Sequence, residues 1–482
     1  MTALQNLEGR LTERKPSKVL SFDEFLQGAS QNPTGVLRNI FGLVYDMVHH
    51  YVPDPEIDPD PESIGFLDYD LKKMLVEDCD NPFFADQVFA NRFMSLIGGL
   101  RQGERQDRIY MFEGSHGSGK STFLNNFLQK FEEFTQTNEG EVYETVWNLD
   151  LDRSGGEPGC VQEDSPAGEI KKPNRNFMVA CPNHDSPILQ LPVSYRHDLL
   201  SDIIPDGELR ERLFEEKANE WIFKKEPCTI CNSIYDAVLD RVGSEMKVLS
   251  AVNARRRQFS RKLGTGISVF NTGDLPTEKA LTNRYIHERL KELFQGDVVD
   301  YIYSRLAQTN DGIYALMDVK KKSHNAKRLV QLHGIISDRV HKVMGSEGGD
   351  LEERVESLFI GLINPEDISL INDVASLRDR VQIEKINYVL DYDTEVEIYK
   401  NKFGGDVEEE YCIQPGVLQT FAKAVISTRL NLDTSHMEKW IDNPEDYSPH
   451  IDDNFLLLKM DLYRNVIPGY ISSGDKQRFT RD

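Results

Sequence analysis

Residues 109–121 read Ile-Tyr-Met-Phe-Glu-Gly-Ser-His-Gly-Ser-Gly-Lys-Ser, an apolar run that breaks at Gly114 into a glycine-rich turn and ends on Lys120-Ser121. The pattern G-x-x-x-x-G-K-[ST] is met at every required position. In the following stretch, Thr122 to Phe131, the residues Phe123, Leu124, Phe127, Leu128 and Phe131 fall on one stripe of a helix. A buried strand that feeds a glycine turn and then opens a helix is built to cradle phosphate. The glycines let backbone N–H groups turn inward, and the helix points its positive end at the same anion. The expected ligand is a nucleoside triphosphate with Mg²⁺, held by Gly114, Ser115, His116, Gly117, Ser118, Gly119, Lys120, Ser121 and Thr122. Lys120 should meet the terminal phosphates and the Ser121 hydroxyl should coordinate magnesium.

Working outward, residues 1–18 read as a polar tail, and Ser21 with Glu24 forms a capping-box pattern ahead of Phe25 and Leu26. Asn32-Pro33 marks a turn. After it Val36, Leu37, Ile40, Phe41, Val44, Met47 and Val48 recur at helical spacing, so one helix is expected with a face against the nucleotide domain. The stretch from Val52 to Glu62, alternating prolines with acids, predicts an extended connector. Phe83 to Leu100 reads as a helix. Val142 to Leu151, Leu358 to Leu362 and Val381 to Leu390 read as further strands, so a parallel sheet covered by helices is expected.

The chain holds 56 basic and 80 acidic residues in 482, a net charge of −24. Such a surface repels nucleic acid overall, because non-specific affinity comes from Lys and Arg on phosphates. Two basic clusters, Arg255, Arg256, Arg257, Arg261 and Lys262, and Lys320, Lys321, Lys322, Lys327 and Arg328, are read as solvated faces or subunit contacts. No apolar run is long enough to span a membrane, and no secretory leader pattern opens the chain, so cytoplasm is the expected compartment.

Cysteines number six. Cys181-Pro-Asn-His184 and Cys228-Thr-Ile-Cys231 form two pairs with two-residue spacing. Each pair can grip one side of a tetrahedral ion, and four soft or borderline ligands suit zinc. The expected site is structural, with Cys181, His184, Cys228 and Cys231 ordering an insertion that has little core of its own. The alternative keeps three buried thiols and a surface histidine. Cys79, Cys160 and Cys412 show no such pairing.

This pattern resembles the PrkA-type serine protein kinases, and specifically their N-terminal AAA-type ATPase domain. The resemblance runs from Ser21-Phe-Asp-Glu-Phe-Leu, Asn32-Pro33 and Tyr45-Asp46-Met47 through the glycine loop and the two cysteine pairs. The family's Gly-Ile-x-Glu-Phe-x-Glu strand end corresponds to Gly312-Ile-Tyr-Ala-Leu-Met-Asp318. Its first Glu falls on Ala315 and its second on Asp318, so one carboxylate is missing and the other is a methylene shorter. Phe359-Ile-Gly-Leu-Ile-Asn364-Pro-Glu resembles the sensor strand, and Leu377-Arg378-Asp379-Arg380 the family's Leu-x-Asp-Arg segment. The resemblance implies catalytic roles for Lys120, Asp318, Asn364, Arg378 and Arg380. Asn364 would meet the γ-phosphate or water, and one of the two arginines a neighbour's nucleotide. A strand-ending turn with Pro365 is the plainer reading of Asn364, and an ion pair with Asp379 or Glu384 that of the arginines.

The expected architecture is therefore an α/β P-loop NTPase of AAA+ type. Residues 1–65 form a helical segment and connector, 66–395 the ATPase domain with a zinc insertion at 160–245, and 396–482 a helical region read as a truncated lid. Family members continue into a kinase-like domain that these residues do not contain, so the chain is read as a fragment or a short form. Arg478 is the nearest match to the lid's sensor arginine. The expected function is Mg²⁺-dependent ATP hydrolysis by a homo-oligomer that acts on an unidentified protein substrate or regulator. The alternatives are serine/threonine kinase activity at the same site, for which the sequence shows no His-Arg-Asp, Asp-Phe-Gly or Val-Ala-Ile-Lys motif, or a scaffold that binds ATP without turnover.

Overall fold

The computed structural model describes residues 19–55, 67–103, 106–149, 177–275, 280–295, 300–345, 348–373, 375–403, 414–435, 437–441, 444–447, 450–464 and 466–472. Most of the proline-rich connector, together with Cys160, Cys412 and Arg478, lies outside them. In chain order the strands are β1 Val19–Ser21, β2 Ile109–Glu113, β3 Tyr143–Asn148, β4 Met178–Ala180, β5 Val252–Arg256, β6 Ile267–Phe270 and β7 Leu281–Thr282. They continue with β8 Ile302–Tyr303, β9 Ile313–Val319, β10 Val340–Met344, β11 Asp350–Arg354, β12 Leu358–Ile363 and β13 Val381–Lys385.

A five-stranded parallel sheet in the order β13-β2-β12-β9-β6 makes this a mixed α/β protein. Alternation along β2 shows why helices cover both faces. Tyr110 and Phe112 pack with Phe93, Phe123 and Phe127 beneath helices Ile40–Tyr51, Gln87–Arg101 and Lys120–Phe134. Ile109 and Met111 pack on the other side with Leu329, Leu332 and Ile336 of helix His324–Asp338. The unbroken apolar run of β12 is buried along its whole length, as a central strand covered on both faces requires. β12 also separates β2 from β9, which brings three strand ends together beside the glycine loop.

The run expected as the second strand of this sheet, Val142 to Leu151, forms β3 in a different sheet. That sheet has the order β1-β5-β3-β4 and is antiparallel throughout. The cause is polar. Glu144 and Thr145 on β3 are buried, and they find Arg255, His184 and the Asp185 backbone here, whereas a sheet face beneath apolar helices would leave them without partners. The open place in the parallel sheet is taken by β6, which the sequence did not single out.

Ser21 caps helix Phe22–Gln31 with the full capping box, as its pattern predicts. The single helix expected after Asn32-Pro33 is instead a short turn, Pro33–Val36, and a helix, Ile40–Tyr51. Asn39 starts the second by accepting from Gly42 N–H at 3.1 Å. The antiparallel sheet has its own core, in which Phe25, Trp147, Val179, Ile188, Leu213, Ile234 and Ala254 pack together. Beyond β13 the chain forms helices Tyr392–Phe403, Val417–Ser427 and Leu456–Tyr463 around two small apolar clusters. Among the described residues, no helix is long and apolar enough to cross a membrane.

Candidate functional site

β2 delivers Gly114 to the C-terminal edge of the parallel sheet, where its N–H donates to Ile363 O at 3.2 Å. A Cβ at this position would lie 2.2 Å from Ile386 O, so only glycine fits between the strands. Gly117 and Gly119 take positive φ angles of 80° and 87°, which turn the loop into helix Lys120–Phe134. Lys120 is nearly buried, and its ammonium folds back to donate to Gly114 O and, at 2.8 Å, to Ser115 O. Burial lowers its pKa and the charge of Asp318 opposes that shift. Ser121 is exposed at the head of the helix. Ser118 Oγ is buried with no hydrogen-bond partner. His116 is exposed, with Nε2 3.3 Å from Glu366 Oε1, and its carbonyl accepts from the Tyr388 hydroxyl at 2.7 Å.

Asp318, next to last in β9, takes a φ of 56°. Between Leu316, paired with Gly361, and Val319, paired with Ile363, β9 carries one residue more than β12. This bulge aims the carboxylate off the regular alternation, a device that strand ends use to redirect a side chain. Oδ1 accepts from Asn364 Nδ2 at 3.3 Å, and Oδ2 lies 2.7 Å from Lys320 Nζ. Asn364 itself is buried at the end of β12. Ala315 is sealed in the apolar core three residues earlier.

Arg378 and Arg380 do not join this group. Arg380 O accepts from Ile109 N at 2.8 Å, at the opposite end of β2 from the loop. Five strand residues at about 3.3 Å each put the two ends on the order of 15 Å apart. Arg380 pairs with Asp107 at 3.7 Å, and Arg378 donates to Asn372 O at 2.8 Å. The first basic cluster is also largely spent within the chain. Arg255 pairs with Glu144, Arg256 with Glu141 and Arg261 with Glu132, while Arg257 is buried against Asp311 and Asn310 O.

Beside the loop lies a small cavity of about 20 Å³ lined by Phe83, Phe89, Ser118, Ile386 and Val389, with Asp86, Arg92 and Lys385 as charged groups. Asp86 caps helix Gln87–Arg101 by accepting from Phe89 N at 2.8 Å, and burial raises its pKa.

The second constellation lies in the antiparallel sheet. Cys181 follows β4, and Cys228 caps helix Thr229–Val242 with Cys231 in its first turn. All three thiols are buried, and burial pushes their pKa values up. Cys181 Sγ lies 3.6 Å from Cys228 Sγ. The ligand atoms of Cys181, Cys228, Cys231 and Asp185 all fall within 4.8 Å of one another, a buried group that could hold a metal ion. His184, expected as the fourth member, stands outside that group. Its Nδ1 lies 2.5 Å from Glu144 Oε2. Burial alone would raise the Glu144 pKa, but the hydrogen bond and charge of His184, with Arg255, hold it at about 2. Sequence reasoning passed over Asp185, although it follows His184 directly.

The fold and its sites define a mixed α/β protein in which a glycine loop, a lysine, an aspartate and an asparagine meet at one sheet edge, with a buried thiol and carboxylate cluster in a second sheet. Comparison of the sequence with protein-family models and with curated proteins gives no match.

Proposed function

We propose that this protein is a Mg²⁺-dependent ATPase of the AAA type, of the kind the PrkA-type kinases carry, that works as an oligomer and holds a structural zinc ion in its antiparallel sheet. The observation that carries this reading is the convergence of Lys120, Asp318 and Asn364 on three adjacent strand ends, with a bulge aiming Asp318 toward them. Lys120 has exchangeable partners. It can release two carbonyls for phosphate oxygens, a stronger charge-assisted bond. Ser121, exposed at the helix start, is placed to hold a magnesium ion, which supplies charge neutralisation on the phosphates when bound. Asp318 would take a water of that ion, and Asn364 would orient the attacking water or the γ-phosphate.

Arg378 and Arg380 are too far from their own loop to serve it, so in this reading they act on the loop of a neighbouring subunit. The zinc would lie among Cys181, Cys228 and Cys231, whose chemistry favours a soft divalent ion in a closed site. Phosphate release from ATP and Mg²⁺, compared with a Lys120→Ala variant over a range of protein concentrations, tests the proposal. Release that the variant matches would end it.

One observation favours a second reading, an ATP-binding scaffold without turnover. Asp318 is the sole carboxylate on β9, and Lys320 neutralises it at 2.7 Å. Tight ATP binding with no phosphate release, restored by Asp318→Glu, would support that alternative.

A further inference from the structure

We propose that the fourth ligand of the metal held by Cys181, Cys228 and Cys231 is the carboxylate of Asp185, and that the adjacent His184 is a structural partner of Glu144 and not a ligand. The assignment rests on the reading that this cluster holds a metal ion.

Each sulphur is already oriented by an N–H donor. Cys181 Sγ accepts from Asp185 N at 3.3 Å, Cys228 Sγ from Cys231 N at 3.4 Å and Cys231 Sγ from Trp147 Nε1 at 3.4 Å. Hydrogen bonds to a charged form favour it, so these donors prepare the thiols to bind as thiolates. The 3.6 Å between Cys181 Sγ and Cys228 Sγ is close to the edge, about 3.8 Å, of a tetrahedron with metal–sulphur bonds of about 2.3 Å.

Asp185 completes that tetrahedron. The residue is 2% exposed, and its Oδ2 accepts from Cys228 N at 2.7 Å. Oδ1 is buried with no hydrogen-bond partner. A carboxylate oxygen sealed from water and left without a donor is costly, and a cation at the centre of the cluster removes that cost. The surroundings also suit the added negative charge. Three thiolates and a carboxylate leave a divalent ion with two net negative charges, where an imidazole would leave one. Arg196 is fully buried, and its described hydrogen bonds run to the carbonyls of Leu189, Leu191, Ile222 and Lys225. Asp185 is among the charges that act on this guanidinium.

His184 is committed elsewhere. Glu144 accepts from its Nδ1 through one oxygen and from Arg255 through the other, at 2.6 and 2.9 Å. A histidine whose Nδ1–H meets a carboxylate is also how metal-bound imidazoles are oriented, so that contact alone does not choose between the two. The distances do. No ring nitrogen of His184 belongs to the set of ligand atoms within 4.8 Å, and an Asp185 oxygen does.

The test uses the full chain with cobalt(II) in place of the native metal. An imidazole ligand would give a hyperfine-shifted, exchangeable N–H resonance, and the expected spectrum has none. In competition with a chromophoric chelator, D185N should weaken metal binding by more than about 100-fold, beyond the roughly 10- to 100-fold of losing a group that orients a ligand, and H184Q by less than about 10-fold, since His184 holds Glu144 and no ligand. D185N retains an oxygen to accept the Cys228 N–H. The imidazole line is read on the unsubstituted chain, so the result stands even if a variant misfolds. A shifted imidazole line, or metal lost from H184Q and kept by D185N, overturns the assignment. A wild-type chain that takes up neither zinc nor cobalt overturns the metal reading itself and leaves the ATPase reading untouched.

Discussion

At the loop edge of the parallel sheet, Lys120 holds two carbonyls that it can give up, and Asp318 leans on Asn364 and Lys320. In the antiparallel sheet, Cys181, Cys228 and Cys231 are sealed, and backbone or indole N–H groups already point at their sulphurs. The contrast separates two uses of buried polarity. A group whose hydrogen bonds are worth about 1 kcal/mol net can exchange them for a ligand and back again. A closed cluster of thiolates gains its stability once, on metal binding, and has no reason to open.

The largest effect should come from breaking the closed cluster. Metal chelation, or Cys181→Ser, should expose the antiparallel sheet, because structural zinc contributes on the order of 10 kcal/mol to folding. Hydrogen exchange at the amides of β3 and β5 should then speed up by orders of magnitude while β2 and β12 keep their protection. Equal loss in both sheets would erase the distinction between them.

The open site should respond in chemistry more than in stability. Asp318→Asn is expected to lower the rate of phosphate release by about 100-fold to 10,000-fold, the range for removing a group that handles a reacting proton or water. ATP affinity measured by fluorescence titration should change little. If turnover is unaffected, the bulge in β9 has no catalytic purpose.

A smaller effect is expected where the loop meets the sheet. Gly114→Ala would drive a methyl into Ile386 O, 2.2 Å from the added carbon, and should cost about 1–3 kcal/mol by thermal unfolding, as overpacking does. ATP affinity should fall with it.

The last effect, confined to a pH window, lies at the seam. The hairpin β10–β11 touches both regions, since Thr229 Oγ1 donates to Glu352 O at 2.6 Å and β11 leads directly into β12. There Glu353 is buried, and Ser304 donates to it from N at 2.7 Å and from Oγ at 2.5 Å. Burial raises its pKa to about 7 from an ordinary 4.5, despite those bonds. The folded chain therefore binds the extra proton between these values, and stability should fall as pH rises from about 4.5 through about 7. Glu353→Gln should flatten that slope, by at most about 3 kcal/mol across the window. Denaturant midpoints with an unchanged slope would show that burial at Glu353 is not felt.

The local chemistry of several elements was legible in the sequence. Ser21 and Glu24 cap their helix as their spacing demands, and the apolar runs at β2, β12 and β13 are strands. Partnership was not legible. Val142 to Leu151 read as a strand without saying which sheet would satisfy Glu144 and Thr145, and the four-residue β6 was too short to stand out. At the thiol cluster, ligand softness and C-x-x-H spacing favoured His184. The fold instead turns Asp185 inward, a choice made by backbone geometry, with His184 at a φ of 56°. The direction of Asp318 depended on a bulge, and a bulge is a mismatch between two strands that neither strand carries alone.

The most direct test of the central claim is steady-state phosphate release from ATP and Mg²⁺ by the wild-type chain and by Lys120→Ala, each at several protein concentrations. Wild-type release should exceed that of the variant by at least about 100-fold, the scale of losing one preorganised donor to developing charge, and the rate per chain should climb with concentration as neighbours supply Arg378 or Arg380. Equal release from the two proteins, or none from either, would contradict hydrolysis at the Gly114–Ser121 loop.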